Sequence, residues 1–364
     1  MERRRCAPRA DWQARLEGIG FDFHSMGGSY WVEDAYYAFT EAEVDRIEAA
    51  IEELHAMCMQ LVAETVERGA YDGFGLTVAA IERVEASWRG REPALYGRMD
   101  LAYAGHGDVT LLEYNADTPT SLFEASVVQW HWLEETGLMP DQFNSLHEAL
   151  VERWKQVLAD ARLIHFSACM DSAEDLRTVD YLSDTCIQAG FETRLLDIAD
   201  IGWRGGFVGL QDEPVTHVFK LYPWEWMMAE PFSEKLPQAR TRWIEPAWKQ
   251  LLSNKSLLPA LWRRFPNHPN LLPASHDPRD LAGPVVAKPR FGREGEGVYI
   301  AEHGVDRARA DFVYQRWTPL FRHEGRHALL GGWVVGDRAV GLGIREDGDA
   351  ITRNTSCFVP HGFS

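Results

Sequence analysis

In the stretch LLEYNADTPTSLFEA, residues 111–125, a carboxylate and an amide stand two residues apart at Glu113 and Asn115. A second polar pair, Arg98 and Asp100, has the same spacing in YGRMD. Two carboxylates and an amide oxygen are hard ligands suited to Mg2+, which typically uses one or two carboxylates and completes its shell from water and phosphate oxygens. Arg98 would add a fixed positive charge for a phosphoryl group. The solvated face of a half-buried hairpin would account for the same alternation.

A hairpin is what can join the two pairs. The runs YGRMDLAYA and VTLLEYNA flank Gly105-His106-Gly107-Asp108, a turn signal between two strand-like segments. A turn centred between His106 and Gly107 sets Asp100 opposite Glu113 and Arg98 opposite Asn115. Directly opposed residues share a face, and so do residues i and i+2. Arg98, Asp100, Glu113 and Asn115 then form one polar quartet, while Met99, Leu101, Leu112 and Tyr114 face the core. A one-residue slip would reverse half of that assignment.

Other candidate groups lie further along. Lys288 ends an apolar strand in VVAKPRFGREGEGVYI, and Gly292, Gly295 and Gly297 follow it. Such a loop lets backbone N–H groups approach phosphate oxygens, although an ordinary glycine hairpin reads the same way. It is neither GxxxxGK[ST] nor a strand-to-helix GxGxxG. Lys255 in LLSNKSLLP is a lone lysine in a helical stretch and reads locally as solvated, YQRW is either an amphipathic strand or, through Trp317, a flank for an adenine, and Arg345 in GLGIRE is either a surface charge or a second phosphate clamp.

The surrounding elements are legible from periodicity. Thr40 and Glu43 make a capping box ahead of Ile47, Ile51, Leu54 and Met57 at helical spacing, predicting a helix from Thr40 to Gly69. Ser121 and Glu124 predict a second capping box, and the helix start after Pro119 offers its N–H groups either to that cap or to an acyl-substrate carboxylate. LIHFSA, a helix from roughly Ala173 to Ala189, Gly190 and ETRLLDI form a βαβ unit. VTHVFKLYPWEWMM reads as a strand running into an aromatic loop, and Glu245 to Phe265 as a helix. Short glycine-broken strands beyond Gly283 complete an α+β fold.

Composition narrows the function. A chain of 364 residues, 45% hydrophobic, exceeds one ordinary domain of about 100–200 residues. Its formal charge of −18 argues against nucleic acid, which needs basic stripes; an ordinary soluble acidic surface accounts for it, and it is compatible with a cationic substrate such as a polyamine. Cys6, Cys58, Cys169, Cys186 and Cys357 include no CxxC pair, which fits a reducing, cytoplasmic compartment. No run of about 18 apolar residues predicts a membrane span, and the basic N-terminus lacks the apolar core of a signal peptide.

In chain order, YGRMD, EYNADTPTSLFEA, KLYPWEWM, LLSNKSLLP, KPRFGREGEGV, YQRW and GLGIRE resemble the synthetase region of the glutathionylspermidine synthase family, within the ATP-grasp ligases. The resemblance runs from about Phe21 to His361. It implies an ATP-grasp fold with a Rossmann-like βαβ pre-ATP-grasp lobe. The chain then divides into a helical region (1–95), the metal-binding hairpin and following helices (96–160), a substrate lobe (161–240) and a nucleotide-binding and lid region (241–364). It also implies ATP and Mg2+, and an amide bond formed between a small-molecule or peptide carboxylate and an amine.

By that resemblance Asp100, Glu113 and Asn115 match the magnesium ligands, and Arg98 and Arg345 the arginines that stabilise the transferring phosphate. Lys255 and Lys288 match the ATP-phosphate lysines, with Gly292 in the nucleotide-binding loop; Arg293, Glu294 and Gly295 match the flexible lid, and Gln315, Arg316, Trp317 and Thr318 the segment around adenine. Thr118 and Thr120 fall where the family binds its acyl substrate. The amidase domain of the bifunctional members is not expected here. A small-molecule kinase on the same fold, or a non-catalytic nucleotide-binding protein, would need much of the same nucleotide site.

Overall fold

The computed structural model describes residues 1–25, 28–302, 305, 307–353 and 356–364. Thr40 caps the helix Glu41–Arg68 as its sequence predicts. The Thr40 side chain accepts from the Glu43 N–H, Glu43 returns a bond to the Thr40 N–H, and Gly69, in the left-handed region, closes the far end. The buried stripe of that helix, including Ile47, Ile51 and Leu54, packs with Leu330, Val334 and Leu342 of an antiparallel sheet. A Cβ at Gly332 would stand 2.5 Å from Ile51, so glycine is what permits this close approach.

That sheet runs in the order Cys357–Val359, Arg338–Asp347, Arg326–Val335, Tyr96–Ala102, Thr110–Asn115. Strands separated by more than 200 residues of chain are therefore neighbours, with Asp100 paired to Gly331 and Arg98 to Trp333. A Cβ at Gly331 would lie 2.9 Å from the Arg98 side chain; the missing side chain gives Arg98 its bed.

Within the hairpin, Arg98 pairs with Asn115 and Asp100 with Glu113, in the expected register. Beyond Asp100 a bulge shifts the pairing to Leu101 with Leu111 and Ala102 with Thr110, because the turn centres on His106. This overturns one expectation. Leu111 takes the core position, and Leu112, the extra residue, swings to the polar face and lines the cleft there. Bulges of this kind re-aim side chains beside sites.

A second sheet is parallel throughout, in the order Arg242–Ile244, His217–Leu221, Leu163–Ala168, Glu192–Asp197. The helix Ala173–Gln188 joins its last two strands as a βαβ unit. A smaller antiparallel sheet holds Val285–Pro289 between Phe312–Arg316 and Tyr299–Ala301.

Three local expectations are corrected. Trp224–Ala229 is a short helix and not a loop, since the Asp117 carboxylate accepts from the Trp224 N–H at 2.8 Å and satisfies its first turn. The stretch 245–265 is not one helix: a 3-10 turn, Ala247–Lys249, runs into Gln250–Ser253, and an extended Asn254 separates these from Leu257–Arg264. Asn254 donates to the Phe74 carbonyl at 2.6 Å and accepts from the Ser256 N–H, holding the break open. The Ser121 box does not form, because Ser121 is left-handed, with φ 61, and its hydroxyl faces that of Tyr30 at 3.3 Å. Among the described residues no helix is long and apolar enough to cross a membrane.

Candidate active site

One cleft lies against the polar face of the hairpin. Arg98, Asp100, Glu113, Asn115, Thr118, Thr120, Lys288, Arg293, Glu294, Gly295, Gln315, Arg316, Trp317, Thr318 and Arg345 all line it. Of the residues singled out by sequence, Lys255 and Gly292 stand behind the lining, joined by a hydrogen bond from Lys255 Nζ to the Gly292 carbonyl at 2.6 Å.

The charges in the cleft are paired in a chain. Arg98 Nε donates to Asp100 Oδ1 at 2.8 Å, Arg98 Nη1 to the Thr120 carbonyl at 2.6 Å, and Arg345 Nη2 to Asp100 Oδ2 at 3.3 Å. Both arginines therefore act on one buried carboxylate. Lys255 Nζ lies 3.1 Å from Glu113 Oε2, and Asn115 Nδ2 donates to Glu113 Oε1 at 3.2 Å. The break at Asn254 is what turns Lys255 toward the sheet. Lys288 Nζ donates to the carbonyl of the bulged Leu112 at 2.7 Å and to Gln315 Oε1 at 2.8 Å.

Burial opposes charge on Glu113, but Lys255 and Lys288 outweigh it and hold the carboxyl well below its ordinary range. Burial lowers Lys288 to about 8, with Glu113 opposing and Lys255 reinforcing the shift. Among the described residues no group of three or more His, Cys, Asp or Glu side chains is gathered. Asp100, Glu113 and the Asn115 amide oxygen on one sheet face nevertheless fit a hard divalent cation that draws its remaining ligands from water and phosphates. The two neighbouring lysines fit those phosphates. Leu112, Val286, Ile300 and Leu329, beside Trp317, form an apolar wall of the kind that receives a flat base.

Arg293 bridges to the opposite rim, donating to Thr118 Oγ1 and Glu225 Oε1, both at 2.6 Å, with its guanidinium 5.6 Å from the Trp226 ring centroid. Gly295, at φ +71, would place a Cβ 2.5 Å from the Thr352 carbonyl, so both conformation and space demand glycine there.

Several lining residues escaped sequence reading. Asp175 borders the cleft, and burial, with the charge of Glu174, raises its pKa to about 6. Burial and Glu174 also raise Glu294. A signal existed: Asp175 sits in the first turn of the helix capped by Ser172, just past the C-terminal end of a parallel strand, the end where α/β sheets place ligands. Asp117, beside Thr118 in the same motif, stands outside the lining. It is fully buried against Lys220 at 2.7 Å, and Lys220 also donates to the Tyr222 carbonyl at 2.9 Å. This pair ties the loop bearing Thr118 and Thr120 to the parallel sheet.

Beneath that loop, Glu124 is 2% exposed and accepts from the Tyr30 hydroxyl at 2.6 Å. Burial, reinforced by Glu174, pushes its pKa up to about 7. A raised carboxyl favours the folded state below its unfolded pKa, and that contribution is lost as pH rises from about 4.5 to about 7. Glu124→Gln keeps an acceptor for Tyr30 and removes the titration. Melting curves should show the variant gaining on the parent from pH 5 to pH 8, by on the order of 1–3 kcal/mol. A pH-independent difference would contradict the assignment.

Comparison with known proteins gives the context. The family model for glutathionylspermidine synthase preATP-grasp matches residues 3–364. A Haemophilus influenzae protein named "Putative acid--amine ligase" is 42% identical over 383 residues, covering 98% of this chain and 97% of that one. Trypanothione synthetase of Crithidia fasciculata is 28% identical over 320 residues, covering 76% of this chain and 48% of its own. The bifunctional glutathionylspermidine synthetase/amidase of Escherichia coli is 26% identical over 366 residues, covering 89% and 58%. The chain thus spans roughly half of these last two proteins. A solved glutathione synthetase-like effector from Globodera pallida shares the fold, with a TM-score of 0.61, 11% identity and coverage of 90% and 89%. Matched along almost its whole length, the chain belongs to the glutathionylspermidine synthase family of ligases.

Proposed function

We propose that the protein is an ATP-grasp ligase that forms an amide bond between a small-molecule or peptide carboxylate and an amine through an acyl phosphate. The observation that carries this reading is the convergence on Asp100: two arginines share it, Glu113 and Asn115 stand beside it, and two lysines close the same corner.

A carboxylate resists amines because its oxygen is a poor leaving group, so it must first accept the γ-phosphoryl group of ATP, with ADP departing. Lys288 holds the nucleotide phosphates, with the charge of Lys255 supporting it from behind the lining, and Gln315 to Thr318 with the apolar wall hold the base. Asp100, Glu113 and Asn115 would hold a magnesium ion, which when bound would offset the charge of the phosphates. Arg98 and Arg345 steady the transferring group, a role worth roughly 10²–10³ in rate per donor. Thr118 and Thr120 orient the acyl substrate, and Arg293, clasped to Thr118 and Glu225, closes the cleft against water.

The amine nitrogen then attacks the acyl carbon, phosphate leaves, and the ammonium proton must go to a base. The carboxylates Asp175, Glu174 and Glu294 would draw in a cationic amine. Asp175, at about pKa 6, is mostly ionised at neutral pH and lines the cleft where it can take that proton. Asp175→Asn should lower kcat by about 10²-fold while leaving ATP affinity, measured by calorimetry, near its original value. An unchanged kcat would remove Asp175 from this role.

The reading is tested by trapping. Purified protein is incubated with ATP, Mg2+, hydroxylamine and a panel of peptide acids, glutathione first because the relatives carry glutathionylspermidine in their names. A hydroxamate formed one-for-one with ADP supports the ligase. A stable phosphorylated product with no hydroxamate would assign a kinase instead, and no ATP consumption with any acid would contradict both.

A further inference from the structure

We propose that a second cavity, on the opposite face of the hairpin sheet, is a binding site for a small organic anion with a flat apolar body. Tyr114 lies between Glu113 and Asn115 and by strand alternation faces away from the cleft. It lines a cavity of about 430 Å³ that shares no lining residue with the cleft, a size ordinary for small-molecule sites.

Its walls suit a planar body. Trp88 and Trp248 meet edge to face, with centroids 5.4 Å apart, and both line the cavity. The Trp248 Nε1–H donates to the Glu92 carbonyl at 3.0 Å, which fixes that ring as one wall of the cavity. The rim suits an anion. Arg89, Arg91 and Arg153 border the cavity beside Glu92 and Asp337, and Arg89 is held by Glu85 at 2.8 Å. Arg91 is exposed, and among the described residues its side chain makes no ion pair or hydrogen bond.

The floor carries a cation with spare capacity. Lys249 is buried, and its Nζ donates to Glu245 and to the Tyr96 carbonyl, both at 2.6 Å. An ammonium has three donors, so one remains for an anionic head group. The same Tyr96 donates through its hydroxyl to the Pro119 carbonyl at 3.0 Å, and Pro119 lines the cleft. A ligand on Lys249 would therefore sit one residue from a contact of the acyl-substrate loop.

The test uses 2-naphthoate as probe, titrated calorimetrically into the full chain. Saturable binding with one site is expected. It should weaken about tenfold or more both in Arg91→Glu and when neutral 2-naphthamide replaces the acid. Circular dichroism should show Arg91→Glu folded like the parent, as expected for an exposed side chain. Absence of saturable binding, equal binding of acid and amide, or naphthoate affinity unaltered by Arg91→Glu would each overturn the proposal.

Discussion

Glu113→Gln and Asp100→Asn are each expected to reduce ATP-dependent turnover by at least about 10²-fold, on the scale of losing one preorganised electrostatic partner, without unfolding the chain. The two substitutions act differently. Glu113 is partly open to the cleft, with its charge held by Lys255 and Lys288, so the amide removes a ligand charge at small structural cost. Asp100 is 3% exposed and serves both Arg98 and Arg345. Its neutral isostere also leaves two guanidinium groups less compensated, and a modest loss of stability should accompany the kinetic one. Steady-state assays beside near-ultraviolet circular dichroism separate the two effects. Near-normal turnover in Glu113→Gln would remove the hairpin from the reaction.

The largest stability effect should come from Lys220→Met. Lys220 and Asp117 are both fully buried, and removing the ammonium strands a carboxylate that no water reaches, a loss typically of about 3–5 kcal/mol. Asp117 would keep only the Trp224 N–H. Adding Asp117→Asn to Lys220→Met should recover much of that loss, because the uncompensated charge is gone while an acceptor for Trp224 remains. Denaturant midpoints of the two single variants and the double variant measure the coupling. If the loss in the double variant equals the sum of the two single losses, the pair contributes little.

Much of the architecture was legible because it rests on short-range rules. Alternation in YGRMD and LLEYN placed Arg98 against Asn115 and Asp100 against Glu113, and Thr40 with Glu43 started the long helix where it stands. Features made by distant partners were not legible. The bulge at Leu112 belongs to the geometry of the turn, and the Lys288 Nζ that uses its carbonyl comes from 176 residues away. The break before Lys255 is held by the Phe74 carbonyl, so helical periodicity alone ran straight through it. Ser121 and Glu124 carried a capping signal, but the Tyr30 hydroxyl claims the Glu124 carboxylate and faces the Ser121 hydroxyl. In the cleft, ligand-like residues within one hairpin stood out, whereas Asp175 meets them only through packing of the parallel sheet against the loop.

The central claim is that an acid is activated by phosphorylation in the cleft around Asp100. The most direct measurement follows oxygen from the acid that the protein accepts, its carboxylate labelled with 18O, during turnover with ATP and the amine. Passage through an acyl phosphate predicts one 18O atom in each inorganic phosphate released, with ADP as the nucleotide product and the label lost along with activity in Glu113→Gln. Amide formation with unlabelled phosphate, or with the label in AMP, would contradict it.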